Sequence, residues 1–137
     1  MDDIFYMTSR DVHIKDINET AQIMNVNNTC ISKTLDVIEI EYSDKVVASW
    51  CCMSLEDFHE AEDKKFLLEN HIKSIYCISY HANRLGTILP HIKMLLHRYG
   101  GFIGNDDEGF QPCYDMENID MFTFQLDLSS ECAIDIS

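Results

Sequence analysis

The chain has 137 residues, of which 46% are hydrophobic and 10% aromatic. This length and composition are typical of one globular domain with its own core, so disorder is not expected. We therefore interpret residues 1–137 as a single domain, with 129–137 as a frayed tail. No apolar run approaches the roughly 18 residues that span a bilayer. The start of the chain, Met1-Asp2-Asp3, is acidic and not signal-like, so a cytoplasmic protein is expected.

The charge is strongly negative and unevenly distributed. The net charge is −14, from 24 acidic and 10 basic residues. Residues 1–104 carry 15 acids and 10 bases, whereas residues 105–137 carry nine acids and no Lys, Arg or His. Such a field repels nucleic acid and anionic lipid and attracts a basic partner. Solubility alone is the alternative explanation, but the clustering favours a partner.

Six cysteines, at positions 30, 51, 52, 77, 113 and 132, form no Cys-x-x-Cys pair. This spacing does not support a zinc finger or a thioredoxin-like site. Without a signal peptide a disulfide framework is not expected either. We expect most of them to be reduced thiols in the core, where cysteine behaves as a small hydrophobic residue.

Apolar periodicity predicts runs of strand and helix along the chain, without strict βαβ alternation. Ser54-Leu-Glu-Asp57 resembles a capping box and predicts the start of a helix that continues to Ile72. The predicted elements are a strand over 4–8, a helix over 11–25, a hairpin over 35–53, the helix over 54–72, strands over 74–80 and 102–103, an extended piece over 110–114, a helical turn over 115–118 and a strand over 121–128.

The most sharply punctuated stretch runs from Leu85 to Phe110. Apolar residues three and four apart predict one helix over 85–99, although Pro90 lies inside it. The residue four positions before Pro90 is Gly86, the smallest available, so the helix is expected to pass through the proline with a kink. Gly100 is the expected left-handed stop. Together the elements predict an α+β fold, a mostly antiparallel sheet with two or three helices packed on one face.

Several residue groups were weighed as chemical sites. Residues 105–109, Asn-Asp-Asp-Glu-Gly, do not give the oxygen spacing of an EF-hand, so a solvated turn or a docking surface is favoured over calcium. His91 and His97 are six apart on a helix and do not share a face. His59 and Asp63 could share a metal, but a surface pair is favoured. We expect no metal, cofactor or catalytic residue.

The alternative function is a small intracellular enzyme or ligand-binding domain. It would use either Cys77 and His81 as a nucleophilic pair or a cluster of carboxylates. On a strand, residues four apart lie about 13 Å from each other, which is too far for a catalytic hydrogen bond. A strand-end role for His81 is therefore favoured.

Residues 75–120 resemble small bacterial immunity proteins, including those of contact-dependent growth inhibition systems. The resemblance is carried by Leu95-Leu96, Tyr99-Gly-Gly-Phe-Ile-Gly104, the acidic Asp106-Asp107 loop and Glu117-Asn-Ile-Asp120. It implies a non-enzymatic protein that binds and neutralises one cognate toxin domain, often a nuclease. The partner would then be a basic domain, and the candidate partner-binding residues are Asp106, Asp107, Glu108, Asp115, Glu117 and Asp120.

Overall fold

The computed structural model describes residues 2–43 and 45–122, except the side chain of Ala82. Within these ranges there are seven strands and three α-helices of nine residues or more, and residues 119–122 are also helical. The strands are β1 (Asp2–Thr8), β2 (Asn28–Ile31), β3 (Val37–Ser43), β4 (Val46–Met53), β5 (Ser74–Tyr80), β6 (Phe102–Asn105) and β7 (Cys113–Tyr114). The helices are α1 (Ile14–Ile23), α2 (Ala61–Glu69) and α3 (Leu85–Tyr99).

The seven strands form one sheet in the order β2-β3-β4-β5-β1-β6-β7. Every pair of neighbouring strands is antiparallel. The predicted α+β class with an antiparallel sheet is therefore confirmed. Because β1 pairs with both β5 and β6, the first residues of the chain lie in the middle of the sheet.

One face of the sheet, called here the inner face, is covered by α1 and α3. Its strands contribute Tyr6, Ile40, Trp50 and other large side chains that are fully buried. The apolar stripe of α3 packs on them, and Ile17 and Ala21 of α1 join the same cluster. Burial of this apolar surface is the main stabilising contribution to the fold.

The opposite, outer face is covered over only part of its width. Leu67 and Phe66 of α2, together with Phe110, pack on Phe5 and Met7 of the central strand β1. The rings of Phe5, Phe58 and Phe110 meet edge to face with centroids 5.3–5.7 Å apart, an arrangement that stabilises aromatic clusters. The prediction that all helices lie on one face is thus wrong, because α2 packs on the other.

The double glycine after α3 brings the end of that helix against β1. Tyr6 Oη donates to the Gly100 carbonyl at 2.8 Å, and Thr8 Oγ1 donates to the Tyr99 carbonyl at 3.0 Å, so side chains of β1 satisfy the last carbonyls of the helix. Gly100 has φ 71° and ψ −162°, a conformation open essentially to glycine alone, and not the left-handed helical one expected. A Cβ on Gly101 would lie 2.1 Å from the Met7 carbonyl oxygen.

Helix α3 continues through Pro90 as predicted. A Cβ on Gly86 would have no neighbour within 4 Å among the atoms compared. The absence of a side chain at Gly86 is therefore not what makes room for Pro90, contrary to the expectation from the sequence.

Three other predictions need correction. The helix expected over 54–72 is divided: the Ser54–Asp57 capping box forms, but it opens only a 3₁₀ turn, and α2 begins anew at Ala61. Strand β2 was not predicted, because its four residues carry too short a pattern. Met121 and Phe122 are helical, not extended. The rest of the strand predicted over 121–128, and the tail 129–137, lie outside the described residues.

Candidate functional site

An acidic groove forms where the start of β1 lies beside the turn that follows β6. The register pairs Ile4 with Asn105, so Asp2 and Asp3 come next to Asp106 and Asp107. These four carboxylates line a groove of about 540 Å³. The other described residues of the lining are Ile4, Tyr80, Asn105, Gln111 and Pro112, so none of the lining residues that the structure describes is cationic.

The turn that carries Asp106 and Asp107 is held in place by several contacts. Asp107 Oδ1 accepts from the Glu108 amide at 2.8 Å, which caps the short 3₁₀ turn over Glu108–Phe110. The Gly109 amide donates to Asp63 Oδ1 at 2.8 Å and so ties the turn to α2. Asn105 Nδ2 donates to the Pro112 carbonyl at 2.7 Å. The carboxylates therefore project from a fixed loop.

Gly104 explains why the turn lies so close to β1. A Cβ at this position would lie 2.7 Å from Phe110 Cβ and 2.9 Å from Met7 Cε. Only glycine lets Phe110 fold back over β6 into the aromatic cluster on the outer face. The glycines of Tyr99-Gly-Gly-Phe-Ile-Gly104 thus position the acidic turn and do not themselves form a binding loop.

Asp3 is also held from the neighbouring strand. Ser79 Oγ donates to Asp3 Oδ1 at 2.6 Å across the β1–β5 pair. Carboxylates gathered at one end of a sheet produce a local negative potential. Within the residues that the structure describes, no group of three or more His, Cys, Asp or Glu side chains is arranged to hold a metal ion. The four carboxylates thus give the groove a negative potential.

The six acidic residues predicted from the sequence do not form one surface. Asp106 and Asp107 line the acidic groove, whereas Glu108 lines a different one with Glu62, Lys65 and Glu69 of α2. Asp115 caps a turn, since its Oδ1 accepts from the Glu117 amide at 2.9 Å. Asp120 lies 3.5 Å from Lys93 Nζ of α3. Glu117 is exposed in the same turn.

Sequence reasoning missed Asp2 and Asp3. In the sequence alone, these two residues indicate only that the start of the chain is unlike a signal peptide. Their position immediately before the strand predicted over 4–8 places them at one end of the sheet. The sequence does not show, however, that this strand pairs with the strand that follows Gly100 and Gly101.

The five cysteines that the structure describes are free, and none is fully buried. Cys30 and Cys52 are exposed, and the other three are half-buried on the outer face. Burial raises the pKa of Cys77 to about 11 and that of Cys113 to about 12. These thiols are protonated at neutral pH and are poor nucleophiles. The expectation of core thiols is therefore wrong for Cys30 and Cys52.

The Cys77–His81 alternative gains no geometric support. Cys77 packs beside the outer cluster around Phe5, while His81 is exposed beyond the end of β5. No hydrogen bond joins the two side chains in the described part of the chain. His59 is likewise exposed, and its notional partner Asp63 is engaged with the Gly109 amide.

His91 is fully buried and belongs to a hydrogen-bonded network that links both inner helices to the sheet. Its Nδ1 lies 2.7 Å from Tyr42 Oη, and its Nε2 lies 2.8 Å from Thr20 Oγ1. Trp50 Nε1 donates to Tyr42 Oη at 2.9 Å. Burial lowers the pKa of His91 to about 4, so the ring is neutral at pH 7. Neither a metal-ligand nor a surface role fits this environment.

A second, apolar groove lies between α2 and the segment before it. It has a volume of about 550 Å³ and exposes Leu68, at 76%, and Leu55. Phe58, Leu67 and Ile72 form its floor, and Glu56, Lys64 and His71 also line it. The polar groups are few and do not converge in the way expected of an active site.

The chain matches no protein-family model, and no curated protein or solved structure shows significant similarity to it. None of the helices that the structure describes is long and apolar enough to cross a membrane. The resemblance to immunity proteins therefore carries forward only as a proposal.

Proposed function

We propose that this protein is a non-enzymatic inhibitor that binds and neutralises one cognate bacterial toxin domain through an acidic surface. The partner is a basic domain, most concretely a nuclease, and the inhibitor is an immunity protein of the contact-dependent growth inhibition type. One observation carries the proposal: carboxylates from two distant parts of the chain, Asp2-Asp3 and Asp106-Asp107, line one groove in which no described residue is a cation.

The physical argument is charge complementarity. A nuclease holds phosphates in a basic cleft, and an acidic inhibitor can occupy such a cleft in place of nucleic acid. The net charge of −14 accelerates association with a basic partner by long-range steering. In this proposal the protein acts in the cytoplasm, needs no cofactor, and binds neither nucleic acid nor membranes, which it repels.

Rigidity of the turn supports an inhibitory role. The hydrogen bonds from Gly109 to Asp63 and from Glu108 to Asp107 fix the loop before a partner arrives. A preformed surface loses less conformational entropy on binding than a mobile one, and so it binds more tightly.

The test is co-expression with the C-terminal toxin domain encoded immediately upstream of this protein's own gene. Rescue of growth, together with a purified stable complex, supports the proposal. An upstream product without toxicity, or toxicity that this protein does not relieve, contradicts it.

Neutralising variants then locate the surface. Changing the four groove aspartates to Asn should slow association and reduce its dependence on salt, because each removed charge weakens steering. A control variant removes four acidic charges outside the groove, at Glu62, Glu69, Glu117 and Asp120. Equal effects of the two variants would show that only net charge matters and that the groove is not the contact.

A further inference from the structure

The uncovered half of the outer sheet face differs from the half beneath α2. Phe5, Met7 and Ile75 are buried under α2 and the aromatic cluster. Towards β2 this layer ends, and the outward-pointing residues of β2, β3 and β4 become half-buried or exposed. No described helix or loop therefore covers this part of the sheet, which is about three strands wide.

The register shows which side chains form this surface. One row crosses five strands and contains Cys30, Glu39, Ser49, Ser79 and Asp3. A second row contains Asn28, Glu41 and Val47. With neighbouring strands about 4.8 Å apart, the first row is about 19 Å long. It ends at Asp3, which also lines the acidic groove.

The charged side chains of these two rows are all acidic. The charged members are Asp3, Glu39 and Glu41, and neither row contains Lys or Arg. The other members are small or polar, apart from Val47, which is 46% exposed. Small side chains leave a flat surface that a partner can approach closely. Val47, an exposed apolar residue among acidic ones, can pack against such a partner.

We propose that this surface, defined as the outer face of β2–β4 together with Ser79 and Asp3, is the main docking surface for the basic toxin domain. The inference rests on the proposed function and extends it. The partner lies flat on the sheet, and its basic side chains contact Glu39 and Glu41. The acidic groove lined by Asp2, Asp3, Asp106 and Asp107 forms one end of the contact.

The reactivity of two exposed cysteines can show whether a partner covers this surface. Cys30 lies in the first row on the outer face, whereas Cys52 lines a groove with Val12, Ile14 and Tyr76 of the inner core. The complex with the upstream-encoded toxin domain is treated briefly with N-ethylmaleimide, and each cysteine is quantified by peptide mass spectrometry. Cys30 should be protected about tenfold relative to the free protein, because an interface core excludes solvent, while Cys52 should react unchanged.

Charge-reversed variants provide the second measurement. Glu39→Lys with Glu41→Lys should weaken binding about tenfold or more, since like charges then face each other. The control, Asp11→Lys with Glu69→Lys, makes the same charge change at exposed positions outside these rows and should have a much smaller effect. Circular dichroism and thermal unfolding show that both variants fold.

The outcomes separate the two proposals. Protection of Cys52 instead of Cys30, or binding by the Glu39/Glu41 variant equal to that of the control, overturns the docking surface while leaving the toxin inhibitor in place. Failure of the unaltered protein to bind the toxin domain overturns both.

Discussion

His91 Nδ1 lies 2.7 Å from the hydroxyl of Tyr42, and this contact joins α3 to β3 in the middle of the inner core. The proton positions follow from the neighbours. Trp50 donates to the Tyr42 oxygen, so the Tyr42 proton points to His91 Nδ1. Thr20 donates to the Ile17 carbonyl at 2.9 Å, so it accepts the Nε2 proton of His91. Each polar atom of this network has its partner, as buried polar groups require.

Removing the hydroxyl at the centre of this network should destabilise the protein. Tyr42→Phe leaves both Trp50 Nε1 and His91 Nδ1 without a partner in the core. We expect the free energy of unfolding to fall by about 2–4 kcal/mol, since each unsatisfied buried group costs about 1–3 kcal/mol. Tyr99→Phe is the control, because the Tyr99 hydroxyl has no hydrogen bond to a described residue and Tyr99 is only half-buried. Urea unfolding of both variants gives the comparison, and equal losses would contradict the network's role.

His91 should make stability depend on pH. Its pKa is lowered from 6.5 to about 4 by burial, so between these values the unfolded chain binds the proton and the folded chain does not. Stability from the neutral ring is therefore fully present above pH 6.5 and is lost as the pH falls towards 4. This difference between the pKa values of the folded and unfolded states corresponds to about 3 kcal/mol in the free energy of unfolding.

The measurement is the free energy of unfolding by urea at several pH values between 7 and 4.5. His91→Gln is expected to be less stable at pH 7, but its stability should decline less on acidification, by about 2 kcal/mol over this range. The exposed histidines and all carboxyl groups are present in both proteins, so the difference isolates His91. Parallel curves would show that His91 is not responsible.

The glycines near the end of α3 should respond very differently to substitution. Gly101→Ala places a Cβ 2.1 Å from the Met7 carbonyl oxygen at φ 100°, and we expect a loss of about 3 kcal/mol or more. Gly86→Ala meets no atom within 4 Å and should stabilise α3 by about 0.5–1 kcal/mol. Thermal unfolding of both variants tests this. A destabilising Gly86→Ala would restore the idea that Pro90 requires glycine there.

The fold was largely predictable because its signals are local. The apolar stripe from Leu85 to Tyr99 and the alternation of residues 37–43 each specify one element without reference to the rest of the chain. The prediction of one helix over 54–72 was wrong because a capping box indicates where a helix starts but not how long it is. The 3₁₀ turn after Ser54 has the same capping-box hydrogen bonds that would open a longer α-helix.

The candidate site was only half predictable, because it depends on strand order. Asp106 and Asp107 were found from composition, but Asp2 and Asp3 join them only through the β1–β6 pairing. The same holds for Glu39 and Asp3, which are far apart in sequence and share a row because β4 and β5 lie between them. Long-range pairing leaves no trace in one sequence, whereas charge clusters do.

Thiol reactivity distinguishes the enzyme alternative from an inert role for Cys77. Its pKa of about 11, raised mainly by burial, leaves little thiolate at pH 8. We expect Ellman's reagent followed by peptide mapping to label exposed Cys30 and Cys52 well before Cys77 and Cys113. Cys77→Ser should leave toxin neutralisation unchanged. Preferential labelling of Cys77 would support the alternative in which Cys77 is a catalytic nucleophile.

The carboxylates of the acidic groove should lower the stability of the fold while they accelerate association with the partner. Asp106 lies among like charges, and none of the described groove residues is a cation. Asp106→Asn should therefore raise the free energy of unfolding at low ionic strength, by about 0.5 kcal/mol or less. The gain should vanish at about 1 M salt, where the screening length is about 3 Å. The same substitution should slow association with the basic toxin domain, because it removes a steering charge.

Asp120→Asn is the matched control for this conflict. It removes one charge as well, but it also breaks the 3.5 Å ion pair with Lys93, so it should bring no gain in stability. Urea unfolding at low and high salt, combined with stopped-flow association rates, gives both readouts for both variants. If Asp106→Asn leaves stability unchanged at low salt, the groove carboxylates do not repel one another. If it also leaves the association rate unchanged, Asp106 takes no part in attracting the partner.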